Sequence, residues 1–127
     1  YLWLSFGAYD EDEVRCTYLP SPPGQSAFDY DLCIFPRYRM GRGFAGIWDG
    51  VNGYLRDRGI AFTFSRITRF NLQSRRAHAH LGARRIGSAV FLKLWRVEFM
   101  VATIAPFFNV SADETSRVRL RLSPVDA

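Results

Sequence analysis

Apolar and polar residues alternate along much of this chain, and the alternation changes period at identifiable points. Residues 1–7, YLWLSFG, form a short apolar run that reads as a buried strand. The acidic stretch Asp10 to Glu13 makes a polar turn, and residues 14–20, VRCTYLP, read as a second strand. Pro20, Pro22, Pro23 and Gly24 stop it. Residues 28–36, FDYDLCIFP, alternate with period two: Phe28, Tyr30, Leu32 and Ile34 on one face, Asp29, Asp31, Cys33 and Phe35 on the other. Pro36 ends this strand.

The period then lengthens. Phe44, Ile47, Trp48, Val51, Tyr54 and Leu55 recur three and four apart, which predicts a helix over 44–58. Arg56 and Arg58 complement its carboxyl end and Gly59 supplies the stop. Residues 61–68 alternate again as a strand, a short helix follows from Gln73 to Leu81, and Gly82 ends it. Segments 85–95 and 97–108 are strand-like and meet in a tight turn near Trp95 and Arg96. The last strand, 118–122, is an edge strand because its alternate residues are arginine. The order predicts a mixed α/β domain with helices packed on its sheet. Phe62, Phe64, Phe107, Phe108 and Trp48 are expected in the core.

Composition adds bounds. The 127 residues suit one domain, and 48% hydrophobic with 16% aromatic residues is too apolar for a disordered chain. The net charge of +5 comes almost wholly from arginine, whose guanidinium fork suits phosphate and carboxylate. Cys16 and Cys33 fit no metal-ligand spacing and read as reduced thiols of a cytoplasmic protein. No apolar run reaches the roughly 18 residues of a membrane span. The arginines are spread along the chain without a nucleic-acid-binding signature, so a basic nucleic-acid-binding domain is the weakest of the readings considered.

The strand 28–36, the turn that follows, the helix and the strand 61–68 make one βαβ unit. Its turn carries Gly41 and Gly43 between arginines and opens a helix, an arrangement whose backbone amides and dipole suit an anion. It is neither a Walker loop nor a dinucleotide fingerprint. His78 and His80 point to different helix faces, which speaks against a metal site. Asp29 and Asp31 share a strand face, and Asp31, nearer the cleft end, is the preferred general base.

Two stretches together, Pro36 to Gly59 and "NLQSRRAHAHLGA" from Asn71 to Ala83, resemble the GNAT acyltransferase superfamily over roughly residues 28–95. Asn71, Ser74, His78 and Gly82 fall at the spacings of that family's second motif. The chain departs from the pattern at Met40, at Ala83 and at His78, which replaces a frequent tyrosine. The resemblance implies a mixed, mostly antiparallel sheet with a central parallel pair splayed around a coenzyme and helices on both faces. It implies that the family's first strand and first two helices have no counterpart in the single domain 1–127.

The implied activity is transfer of an acetyl group from acetyl-coenzyme A to a primary amine by direct attack. Met40, Gly41, Arg42, Gly43, Phe44 and Ala45 would hold the pyrophosphate. Cys33, Ile34 and Phe35 would pair with the pantetheine arm, and Asn71, Ser74 and Arg75 would flank the coenzyme. Asp31 would act as base and His78 as acid, without a metal. The acceptor is a small-molecule or peptide amine. The alternative within the same fold is a non-catalytic acyl-coenzyme A-binding or protein-interaction module. The strand VRLRL and the apolar segment 97–108 suggest a covered edge, as in a homodimer.

Overall fold

A computed structural model describes residues 1–39 and 42–125. The chain begins with four strands, β1 (Trp3–Ser5), β2 (Tyr9–Asp10), β3 (Cys16–Pro20) and β4 (Ser26–Tyr30). A short 3-10 turn, Pro36–Tyr38, precedes α1 (Gly43–Asp57), β5 (Phe62–Ser65) and α2 (Leu72–His80). Four strands complete it: β6 (Ala89–Leu94), β7 (Val97–Ala102), β8 (Phe108–Ser111) and β9 (Val118–Leu122).

The mixed α/β class holds, but the strands form three sheets of three, in the orders β1-β4-β5, β2-β3-β9 and β6-β7-β8, rather than one. The expected single sheet breaks between β3 and β4. Their connection contains Pro20, Pro22 and Pro23, none of which can donate to a ladder. β4 pairs with β1 instead, and β3 pairs in parallel with β9, Cys16 opposite Val118 and Pro20 opposite Leu122. β9 is an edge, as its arginines predict: Arg119 and Arg121 face water while Val118, Leu120 and Leu122 are buried.

One buried cluster joins the three sheets. Phe28 and Phe64 come from the first, Tyr18 and Leu120 from the second, and Met100 and Ala102 from the third. Tyr9 stacks between Phe28 and Tyr30 at centroid distances of 4.8 and 4.6 Å, and Tyr18 stacks on Phe28 at 5.1 Å. Offset stacking of this kind adds to area burial and aligns the first two sheets face to face. Arg117 ties the loops above them by donating to the carbonyls of Glu11 and Cys16.

The strand predicted over 28–36 runs only from Ser26 to Tyr30. Asp31 adopts a left-handed backbone with φ of 50°, which ends the ladder. The segment 97–108 divides into β7 and β8 because Pro106 cannot carry a ladder hydrogen bond. Phe107 and Phe108, expected in the core, are 63% and 60% exposed, while Phe64 and Trp48 are buried. The two helices are neighbours rather than covers for opposite faces: the His78 ring of α2 meets Phe44 and Trp48 of α1 edge-on at 5.2 and 6.0 Å. Gly59 and Gly82 end the helices with φ of 73° and 86°, where a side chain would be strained.

Candidate functional site

β4, α1 and β5 form the expected βαβ unit. β4 and β5 are parallel, with Ser26 opposite Phe62 and Asp29 opposite Ser65. Asp29 and Ser65 are therefore the last cross-strand pair before the two chains part. Open α/β sheets bind ligands at this carboxyl end of a parallel pair.

Strand parity puts Phe28 and Phe64 toward the core and turns Asp29 and Ser65 to the opposite face. Asp29 is only 5% exposed, and the Ser65 hydroxyl donates to its carboxylate. Burial pushes the Asp29 carboxyl up to about 6; the Ser65 hydrogen bond and the nearby His78 ring hold it from going higher. Ser65 itself faces water, so the pair joins a buried carboxylate to an accessible hydroxyl.

α2 brings the third member. The Asn71 side chain caps this helix by accepting from the Ser74 amide at 3.0 Å. His78, one turn further on, is 8% exposed. Its Nδ1 lies 2.7 Å from the Ser74 carbonyl and 3.3 Å from the Ser74 hydroxyl. A carbonyl only accepts, so Nδ1 carries a proton and donates to it. Among the described residues, the buried His78 Nε2 and Trp48 Nε1 have no hydrogen-bond partner. The same holds for Arg15 Nε, Ser26 Oγ and Arg117 Nε. His78 differs from these in bearing electrostatically on the Asp29 carboxyl, and a buried polar group without a partner calls for an explanation such as an ordered water or a chemical role.

The residues read from sequence divide into three groups. His78 and Phe44 belong to this cluster, and Ser74 orients His78. Asp31, the preferred base, does not belong: it is exposed, beyond the strand end. Asp29, in the last hydrogen-bonded register, is the buried carboxylate of the two. Arg75 is exposed and donates to the Arg69 carbonyl at 3.2 Å. Asn71 spends its side-chain oxygen on the helix cap. Met40 and Gly41 lie outside the described residues.

An acyl-coenzyme A can be tested against the chain that remains. At the positive end of α1, Arg42 is the exposed residue that begins the helix, and Ala45 is exposed in the first turn. This end carries the positive pole of the helix dipole. Gly43 has a reason of its own: a Cβ there would stand 2.8 Å from the Tyr38 carbonyl oxygen. The segment meant to pair with the pantetheine arm fits less well. The Cys33 amide donates to the Tyr1 carbonyl at 3.0 Å, and the Cys33 carbonyl accepts from the Tyr1 amino group at 2.8 Å. The Ile34 carbonyl accepts from Arg39 Nε at 2.8 Å, and Phe35 begins the 3-10 turn. The arm would have to displace Tyr1 or lie against Ser65 and β5.

A groove of about 500 Å³ lies between the end of α1 and the start of β5, lined by Leu55, Arg56, Gly59 and Thr63. It is at the far end of the parallel pair from Asp29 and does not share the polar cluster. Among the described residues no cluster of His, Cys, Asp and Glu suits a metal ion, and no helix is long and apolar enough to cross a membrane. No family model matches the chain, and neither the curated proteins nor the solved structures contain a match.

Sequence reasoning missed Ser65 altogether and ranked Asp29 second. The signal for both was present. Phe-Asp-Tyr and Phe-Thr-Phe-Ser each place a polar side chain in a strand whose other face is aromatic. In a parallel strand covered by a helix, a carboxylate such as Asp29 is buried and needs a partner, which the more accessible Ser65 opposite supplies.

Proposed function

We propose that the chain is an acyl-coenzyme A-dependent N-acyltransferase, with Asp29, Ser65 and His78 around the reacting atoms. The observation that carries this reading is a buried carboxylate with a pKa of about 6 at the carboxyl end of a parallel βαβ pair. A carboxylate poised just below neutrality is largely ionised at pH 7 and still basic enough to take a proton in a transition state.

The phosphate end of the donor sits at the start of α1, with Arg42 and the first-turn amides opposing its charge. The acceptor amine attacks the thioester carbonyl carbon. A carbon–nitrogen bond forms, the carbon–sulfur bond breaks, and the amine loses one proton. That proton passes to the Ser65 hydroxyl as Ser65 hands its own to Asp29, since Ser65 is the accessible member of the pair. The departing thiolate takes a proton back by the same route. His78, its ring held by the Nδ1 bond to Ser74, stays behind the pair and acts on the Asp29 carboxyl through its electrostatic influence.

The test separates binding from chemistry. Acetyl-coenzyme A is titrated calorimetrically into wild type, Gly46→Glu and Asp29→Asn. A Cβ at Gly46 meets nothing within 4 Å, so the variant folds and sets an anion on the first turn of α1. Wild type binds, Gly46→Glu binds at least ~10-fold more weakly, and Asp29→Asn binds normally but releases no free thiol with an amine panel. A folded wild type that binds no acetyl-coenzyme A overturns the reading. Binding without thiol release in wild type would leave the non-catalytic module.

A further inference from the structure

The third sheet turns an unusual face outward. Its inner side carries Phe91, Met100 and Ala102 into the core. On its outer side the ladder sets Val90, Val101 and Phe108 in one row and Leu92, Phe99 and Val110 in the next. Leu94 and Val97 continue the surface toward the hairpin tip, where Trp95 is 86% exposed. No charged residue stands in these rows; Lys93 and Glu98, opposite each other, belong to the other side, and the Arg96 guanidinium lies over the Trp95 ring at the tip, 5.3 Å from its centroid.

Antiparallel sheets with one face in water normally alternate apolar and polar residues. Here the side turned to water is apolar along all three strands. Val90, Leu92, Leu94, Trp95, Val101 and Phe108 leave roughly 800 Å² in water, above the usual largest patch of a monomer and about one partner's share of a standard interface. The whole chain exposes 9042 Å². A compact monomer of its 14.6 kDa exposes roughly 6,900 Å². The molecule is therefore more open than its mass requires, and this sheet is an extended apolar surface left uncovered among the described residues.

We propose that this face is covered by the same face of a second copy, giving a two-fold dimer by sheet-on-sheet packing. Three features select this occupant. The area matches what each half of a stable dimer supplies. The strand rows carry no charge and Arg96 stands at the hairpin tip, so two copies of a chain with net charge +5 can meet along the rows without repulsion there. The same absence of charge gives an acidic protein or a nucleic acid nothing to pair with. A face of aliphatic and aromatic rows is self-complementary under two-fold symmetry, and two such sheets pack about 10 Å apart with their side chains interleaved. The arginine-bearing edge of β9 plays no part.

Sedimentation equilibrium of the full chain over a range of concentration, with Leu92→Lys, Leu92→Thr and the distant Thr63→Lys, tests the proposal. Wild type and Thr63→Lys sediment at twice the chain mass. Leu92→Lys dissociates at least ~30-fold more readily, because two ammonium groups would be buried near the two-fold axis. Leu92→Thr keeps strand propensity and weakens the dimer less, so it serves if the lysine variant does not fold. Wild type that remains monomeric at about 100 µM overturns the proposal, whether or not it then binds vesicles of neutral phospholipid. A dimer that survives both substitutions at Leu92 places the contact elsewhere and overturns it equally.

Discussion

Replacing Asp29 by Asn should make the protein more stable at neutral pH, and the structure fixes the size of the gain. Asp29 is buried, and its carboxyl is raised from 3.8 to about 6 by loss of solvent. The folded state therefore holds a proton that the unfolded state releases between these two values. Stability falls as pH rises through that window, by 1.36 kcal/mol for each unit of separation, or about 3 kcal/mol in all. Asn carries no charge to desolvate, and its amide oxygen still accepts from Ser65. Urea unfolding of both proteins at about pH 4.5 and about pH 7.5 should show the advantage of Asp29→Asn growing by about 2 kcal/mol. The remainder of the window lies below the lower pH. A difference that does not change with pH would refute the argument: Asp29 would then titrate as an ordinary carboxyl, and its selection as base would lose its physical ground. The predicted pattern, a stabilised but inactive variant, is the signature of a group kept at a cost to the fold for its chemistry.

Two further expectations follow from the helix and the thiols. Alanine at Gly46 or Gly50, whose Cβ positions are open, should raise stability by about 0.5–1 kcal/mol each, whereas Gly43→Ala should lower it by about 1–3 kcal/mol through the Tyr38 carbonyl; thermal melts of the three variants read the sign directly. Burial pushes the Cys16 thiol up to about 12, while Cys33 is half-buried and free, so a thiol reagent at pH 8 should label Cys33 and spare Cys16 until the protein unfolds.

The position of the proposed base shows how far local pattern carries. Alternation over FDYDLCIFP finds a strand and puts Asp29 and Asp31 on one face of it. It cannot find where that strand stops. The stop depends on the left-handed turn at Asp31 and on pairing with β5, which ends at Asp29 and Ser65. Two residues of error at the strand end exchanged a buried carboxylate for an exposed one. Gly43 is a second instance. A glycine before a helix suits an anion and suits a close backbone approach equally, and only the Tyr38 carbonyl at 2.8 Å distinguishes a structural need.

By itself the sequence determined both helices, their glycine stops, the hairpin at Trp95 and the arginine edge of β9. Each is set by neighbours within about one or two turns of chain, through period, capping and backbone freedom. Tertiary structure alone decided the rest. The parallel pairing of β3 with β9 joins segments at opposite ends of the chain, and the division into three sheets follows from which edges those segments occupy. Phe107 and Phe108 have the hydrophobicity of core residues, yet Phe107 lies in the connection before β8 and the pleat turns Phe108 to the water-facing side of its sheet. The Asp29–Ser65 hydrogen bond joins β4 to β5, and His78 of α2 comes near enough to act on the Asp29 carboxyl, because the docking of these elements is governed by burial summed over the whole core. Hydrophobic burial is non-directional and long in sequence range, so it leaves no local mark that a reading of periods can recover.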